Sequence, residues 1–273
     1  MAVAAIIGIT GLAGGQISQA LRAAGHDVVG ISRRHVSDAA FPVLYSVPDL
    51  ADVAALTAAL EGCDIVFHFA DRADRKTYGQ QHVESAARVM GALRAACATN
   101  GVHRIVAASS VYAERGDRPA DLYGRSKRAM EAVALASSPG ASAVILRLPP
   151  LHGPGARGAV RHVVRAIAKG WPLPLALARA PRRFLSLSAL GDLCVHLTQL
   201  DGTTFARAAG HIWVPVSVSQ GSLAALARSL GKGRTRLFPV PGIDRLLSGQ
   251  VTPERLAQDH QALLEATGWQ AND

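Results

Sequence analysis

The chain has 273 residues, 49 % of them hydrophobic and 18 % charged, so it can bury a full core and is not a disordered chain. Its formal charge of +9 is dispersed over Arg33–Arg34, Arg125–Arg128, Arg157–Arg165, Arg182–Arg183 and Lys232–Arg236, with only 5 % aromatics, which speaks against a nucleic-acid binder and for anionic small ligands. The first apolar run stops at Ile7 and no later stretch reaches the ~20 apolar residues of a membrane span, so neither a signal sequence nor a spanning helix is expected, and the cytoplasm is the expected compartment.

A strand is expected at AVAAII from Ala2, ending on the glycines Gly8, Gly11 and Gly14. A helix over Gly15–Ala24 follows, with Ile17, Ala20, Leu21 and Ala24 on one face and Gly25 where a C-cap belongs. Further strands are expected at HDVVGIS from His26, DIVFHFA from Asp64, RIVAASS from Arg104 and SAVILRL from Ser142. Between them, Leu56, Ala59 and Leu60 mark one helix, and Val89, Leu93, Ala96 and Cys97 another. Cys63, Cys97 and Cys194 lie far apart in apolar contexts, the pattern of reduced core thiols rather than of a disulfide framework or a metal site. Strands apolar throughout and separated by helices imply an α/β fold, a doubly wound parallel sheet covered on both faces. After Arg147 the Pro/Gly-rich LPPLHGPGARG changes the character, and helices are expected near Val160–Lys169, Ser222–Leu230 and Thr252–Thr267. The expected organisation is a dinucleotide-binding domain over 1–150 and a smaller lobe over 151–273, some of whose segments return to the first domain.

A glycine-rich turn between the first strand and the first helix lets backbone N–H groups, those of Leu12 and Ala13 included, approach a pyrophosphate at a helix N-terminus. The next strand ends GISRRH, with Arg33 and Arg34 where a reader of NAD usually carries an acid; arginines there suit the 2′-phosphate of NADP. Further on stand SSVY (Ser109–Tyr112) and YGRSK (Tyr123–Lys127). On a helix, Tyr123 and Lys127 share one face, and an ammonium beside a phenol favours the phenolate that a general base needs. Ser110 closes a strand at the end where ligands bind in such sheets and is suited to hydrogen-bond a reacting oxygen, with Ser109 as its substitute.

The order and spacing of the glycine turn, DIVFHFA, SSVY, YGRSK and RLPPLHGPG resemble the extended short-chain dehydrogenase/reductase family, in its nucleotide-sugar epimerase/dehydratase branch. The resemblance covers roughly Ala2 to Leu200 and implies a Rossmann domain followed by a substrate lobe. It assigns Gly8, Gly11 and Gly14 to the dinucleotide, Asp49 to the neighbourhood of the adenine, and His68 and Ala70 to the segment beneath the cofactor. It makes Ser110, Tyr123 and Lys127 the catalytic triad, with Lys127 also on the nicotinamide ribose. Pro149 and Pro150 fall in the segment lining the nicotinamide, and Arg182 matches the arginine that holds the phosphates of a nucleotide diphosphate. ARAPRRFLSL resembles a group acting on UDP-linked N-acetylamino sugars.

The chain departs from that pattern at Ile7, where the family has Thr, at Ala86, where it has Asn, and in a short loop after SSVY. Family dehydratases carry an acid and a base just after the Ser/Thr; Val111 and Tyr112 stand there, so elimination chemistry is not expected. The implied activity is NAD(P)-dependent hydride transfer on a nucleotide-sugar, as an epimerase or a 4-ketoreductase, leaving room for a homodimer. Two alternatives stay open: an NADP-dependent reductase of a non-sugar carbonyl, and a catalytically silent NADP-binding regulator. The cofactor reading is checked by paired NAD and NADP titrations, in which Arg33→Asp is expected to shift preference from NADP toward NAD; a wild type that already prefers NAD would refute it.

Overall fold

The computed structural model describes residues 1–35, 43–71, 78–115, 121–136, 141–156, 159–232, 234–247 and 249–271; Arg157, in the basic cluster noted above, lies outside the described residues. In chain order the first half runs β1 (Val3–Ile7), α1 (Leu12–Ala23), β2 (Asp27–Ser32), β3 (Leu44–Ser46), α2 (Val53–Ala59), β4 (Ile65–His68), α3 (Gln80–Asn100), β5 (Arg104–Ser110), a 3-10 helix (Val111–Arg115), α4 (Leu122–Ala134) and β6 (Ser142–Leu148). The second half adds β7 (Leu151–His152), α5 (Ala159–Ala168), β8 (Leu185–Ser186), α6 (Leu187–Gln199), α7 (Gly202–Ala208), β9 (Ile212–Trp213), α8 (Leu223–Leu230), α9 (Ile243–Leu246) and α10 (Pro253–Thr267). Among the described residues, no helix is long and apolar enough to cross a membrane.

The chain forms two compact units, Met1–Leu148 with Gly191–Trp213, and Pro149–Leu190 with Val214–Asp273. The first contains a seven-stranded sheet in the order β3-β2-β1-β4-β5-β6-β9, and each neighbouring pair is parallel. This is the doubly wound α/β architecture that the apolar runs imply. Every residue of β4 is buried, as a strand covered on both faces requires. Strand alternation sends Ala5, Ile7, Val66, Ile105, Ala107, Ala143 and Ile145 into one cluster with Leu56, Met90, Leu93, Cys97 and Met130 of the α2–α4 layer. The edge strands β3 and β9 are absent from the sequence expectation because LYS and IW are too short to show a pattern. In the second unit β7 pairs with β8, and Val160, Phe184 and Leu226 form a small core. The three cysteines are buried, and burial pushes Cys63 up to about 11 and Cys97 up to about 12, so both remain thiols.

Helix α1 starts at Leu12, earlier than the expected Gly15, because the turn is tight enough to place Gly11 at the N-cap. It ends as expected: Gly25 adopts φ +82° and its N–H reaches Arg22 O at 3.0 Å. Of the three glycines, two are demanded by the backbone itself. Gly8 has φ +91°, and a Cβ there would lie 2.7 Å from Ala70 Cα; a Cβ on Gly14 would lie 2.9 Å from Ile9 Cα. Gly11 is different, with φ −79° and a single 3.1 Å neighbour, Gly8 O.

The last residue of β4 is a buried histidine. Desolvation, reinforced by the Lys127 ammonium and opposed by the Asp71 carboxylate, pushes His68 down to about 4 from its ordinary 6.5. His68 is therefore neutral at neutral pH, whereas the unfolded chain protonates below 6.5.

Two measurements follow from this packing. In urea melts, Gly14→Ala should cost about 1–3 kcal/mol despite alanine's better helix propensity, because backbone must move, while Gly11→Ala should cost about 1 kcal/mol or less. As pH falls from 6.5 toward 4, the unfolded state takes up a proton that folded His68 refuses, so stability falls. His68→Gln should remove about 3 kcal/mol of that pH-dependent loss. Parallel slopes for wild type and variant would show that the site does not exclude the charge.

Candidate functional site

All five strands from β3 to β5 deliver their C-terminal ends to one edge of the sheet, and the strand order reverses between β1 and β4, where ligands bind in open α/β sheets. Gly8 N–H donates to Ile31 O at 2.9 Å and Phe69 N–H to Ile7 O at 2.9 Å, so the exits of β2, β1 and β4 are tied together. The N-terminus of α1 opens there with Gly11 exposed, no side-chain cap and no acid in the first turn. Leu12 and Ala13 begin the helix, and Ala70 lies against Gly8. Arg33 and Arg34 follow β2 and are exposed, with the Arg34 N–H donating to Ser32 Oγ at 3.2 Å. Asp49 is exposed after β3, and its carboxylate accepts from Ala51 N at 2.9 Å.

Helix α4 carries the second group. Asp121 caps it by accepting from Gly124 N at 2.9 Å. A Cβ at Gly124 would lie 2.6 Å from Tyr112 O, so this glycine lets the first turn of α4 close on the 3-10 helix. The ring of Tyr123 consequently packs between Tyr112, at a centroid distance of 5.8 Å, and Tyr78, at 5.2 Å edge-on. One turn on, the Lys127 Nζ donates to Ala108 O at 3.0 Å, pairs with Asp71 Oδ2 at 2.6 Å and lies 5.8 Å from the Tyr123 ring centroid. Burial alone would push this ammonium toward neutrality; the Asp71 carboxylate, with Tyr123 and Glu131, more than offsets that and holds Lys127 above its ordinary value.

The two serines that end β5 differ. Ser109 shares its face of the sheet with α4 and donates to Glu131, whose carboxylate also takes a two-pronged bond from Arg147 at 2.8 and 2.7 Å. Ser110, of opposite parity, accepts from Tyr112 N at 3.3 Å and so begins the 3-10 helix. The structure thus gathers Ala108, Ser110, Tyr112, Tyr123, Lys127 and His68 at the ends of β4 and β5. Pro149 (buried), Pro150 (exposed) and Arg182 belong to the second unit. There Arg182 is 3 % exposed, and its guanidinium donates to Asp244 and Ala180 O, both at 3.0 Å.

Three participants are not singled out by the sequence reading. Glu131 continues the Tyr123–Lys127 stripe one turn further, a spacing that was available to it. Asp71 directly follows the HFA segment, and Tyr78, whose hydroxyl donates to Asp71, has no local signature.

A family model described as NAD dependent epimerase/dehydratase family matches residues 4–194. UDP-glucose 4-epimerase of Vibrio cholerae is 26 % identical over 260 residues, 86 % of this chain and 78 % of that protein. A 2-alkyl-3-oxoalkanoate reductase of Shewanella oneidensis is 38 % identical over 95 residues, 33 % of this chain and only 24 % of that protein's length. Among solved structures, UDP-N-acetylglucosamine 4-epimerase from Bacillus cereus superposes with a TM-score of 0.74 at 17 % identity, covering 100 % of this chain and 95 % of that one. The Bordetella bronchiseptica enzyme WbmG, in complex with NAD and UDP, gives 0.68 at 18 %, covering 99 % and 90 %. These structures share the fold. The matched span runs from β1 into α6 and holds the glycine turn, the HFA segment and the Tyr123–Lys127 helix together; on it, the chain belongs to the NAD-dependent epimerase/dehydratase family.

Proposed function

We propose that this chain is an NAD(P)-dependent enzyme that moves a hydride at a sugar carbon of a nucleotide-linked sugar, as an epimerase or a 4-ketoreductase. The observation that carries the reading is the Tyr123–Lys127 pair, one turn apart on α4, with the ammonium anchored on Ala108 O at the end of β5. The family and its nucleotide-sugar relatives support the substrate class.

The residues present fit a dinucleotide. An uncapped helix N-terminus with no acid in its first turn, reached over the bare Gly11, suits a pyrophosphate on the N–H groups of Leu12 and Ala13. Arg33 and Arg34 support a 2′-phosphate and hence NADP; the family's usual partner is NAD. The nicotinamide, when bound, supplies the hydride acceptor or donor. Tyr123 takes the proton of the reacting hydroxyl or returns it, Lys127 favours the phenolate, and Ser110 holds the reacting oxygen. Ser109 is left out of that role, since its hydroxyl serves Glu131. On the substrate side Arg182 remains the proposed phosphate partner, in exchange for the Asp244 carboxylate that it holds. The domain roles follow: a dinucleotide-binding first unit and a substrate-binding second unit.

A second reading, reduction of a non-sugar carbonyl, is favoured by the match to the 2-alkyl-3-oxoalkanoate reductase. Thermal shifts with UDP-, GDP- and dTDP-sugars, each with NAD or NADP present, separate the two, because a ligand that binds only the native state raises its melting temperature. Tyr123→Phe should slow single-turnover hydride transfer by about 10²–10⁴-fold while both ligands still bind. Near-normal transfer in that variant would remove Tyr123 from the chemistry, whereas cofactor binding without any turnover in the wild type would select the silent-regulator reading.

A further inference from the structure

We propose that Asp71 is a positioning residue for the Tyr123–Lys127 pair: held by Tyr78, its carboxylate fixes the Lys127 ammonium against Ala108 O and offsets part of the charge that Tyr123 experiences. The inference rests on the reading of Tyr123 as the acid/base group.

Four side chains close into one circuit. The Lys127 Nζ sits 2.6 Å from Asp71 Oδ2 and 3.0 Å from Ala108 O, so it is clamped between a charge and a strand-end carbonyl. The other oxygen of Asp71 accepts from the Tyr78 hydroxyl. The Tyr78 ring returns to Tyr123, edge-on at 82°. One carboxylate therefore fixes both the amine beside Tyr123 and the ring packed against it. Of the two, Asp71 is the more exposed, its side chain being 28 % exposed against 11 % for Lys127.

The remaining groups that face Lys127 leave Asp71 as its direct counter-charge. Glu131 lies one turn further along α4 and is already held by Arg147 and Ser109. His68, pushed down to about 4, is neutral near neutral pH. Tyr123 contributes negative charge only as the phenolate. An ammonium with a carboxylate at 2.6 Å presents a weakened field to a neighbouring phenol; without the carboxylate the full positive charge acts on it. Asp71 thus does two opposed things. It keeps Lys127 charged, and it moderates what that charge does.

The test uses Asp71→Asn, which keeps the shape and removes the charge, with Asp71→Glu as the charge-retaining control and Tyr78→Phe for the tether. In Asp71→Asn the lower limb of the pH–rate profile for hydroxyl oxidation should move to lower pH by about half to one unit, as expected for one charge removed at several ångströms in a medium of intermediate dielectric. Asp71→Glu should stay near wild type, and Tyr78→Phe should shift in the same direction by less. The second readout needs no turnover: competitive acetylation of Lys127, followed by peptide mass spectrometry across pH in the cofactor-free protein. The Lys127 amine should react faster near pH 8 in Asp71→Asn. An unmoved profile together with unmoved labelling, or a loss of thermal stability alone, would overturn the proposal. A moved labelling curve in a protein with no Tyr123-dependent turnover would instead keep the Asp71–Lys127 coupling and overturn the catalytic reading.

Discussion

An ammonium taken out of water needs a fixed set of negative partners, and the position of Lys127 dictates much of what surrounds it. Its Nζ reaches Ala108 O, which fixes the height of α4 over the end of β5. Its carboxylate partner comes from the residue beyond the HFA segment, which ties the exit of β4 to the same helix. Gly124 removes the side chain that would otherwise hold α4 away from Tyr112 O. A pair with one buried member and one partly exposed member is weak support for stability, because desolvation of the ammonium offsets much of the attraction; what it supplies is placement.

The glycine turn shows how structural and ligand-related demands separate within one motif. Gly8 and Gly14 are required by the protein's own backbone, which passes too close for any Cβ. Gly11 is not so constrained. A bare residue kept where the fold tolerates more is the stronger pointer to something that approaches from outside, and it stands at the mouth of an uncapped helix.

Much of the first unit was legible because parallel strands, buried on both faces, are written as unbroken apolar runs. VAAII, IVFH and SAVILRL needed no partner to be read as strands. Tyr123 and Lys127 were legible because an i,i+4 spacing is meaningful on a helix before its place is known. Asp71 was not, since its partner comes from a different element and only the sheet order brings β4 and α4 together. The same holds for Arg182, whose Asp244 lies 62 residues on. Short edges such as β9 carry too few residues for a period to appear.

The first unit is written in two pieces, and that order matters during synthesis. When Leu148 leaves the ribosome, β6 is still the edge of the sheet and α1 lacks Gly191, which packs against Ala20. At ~5–20 residues per second, several seconds pass before Trp213 completes β9. Over that interval β6 offers an unpaired strand edge to any neighbouring chain. The nascent protein is therefore most open to mispairing before the pieces that close the sheet exist, and chaperone occupancy during that window would influence yield more than the stability of the finished fold.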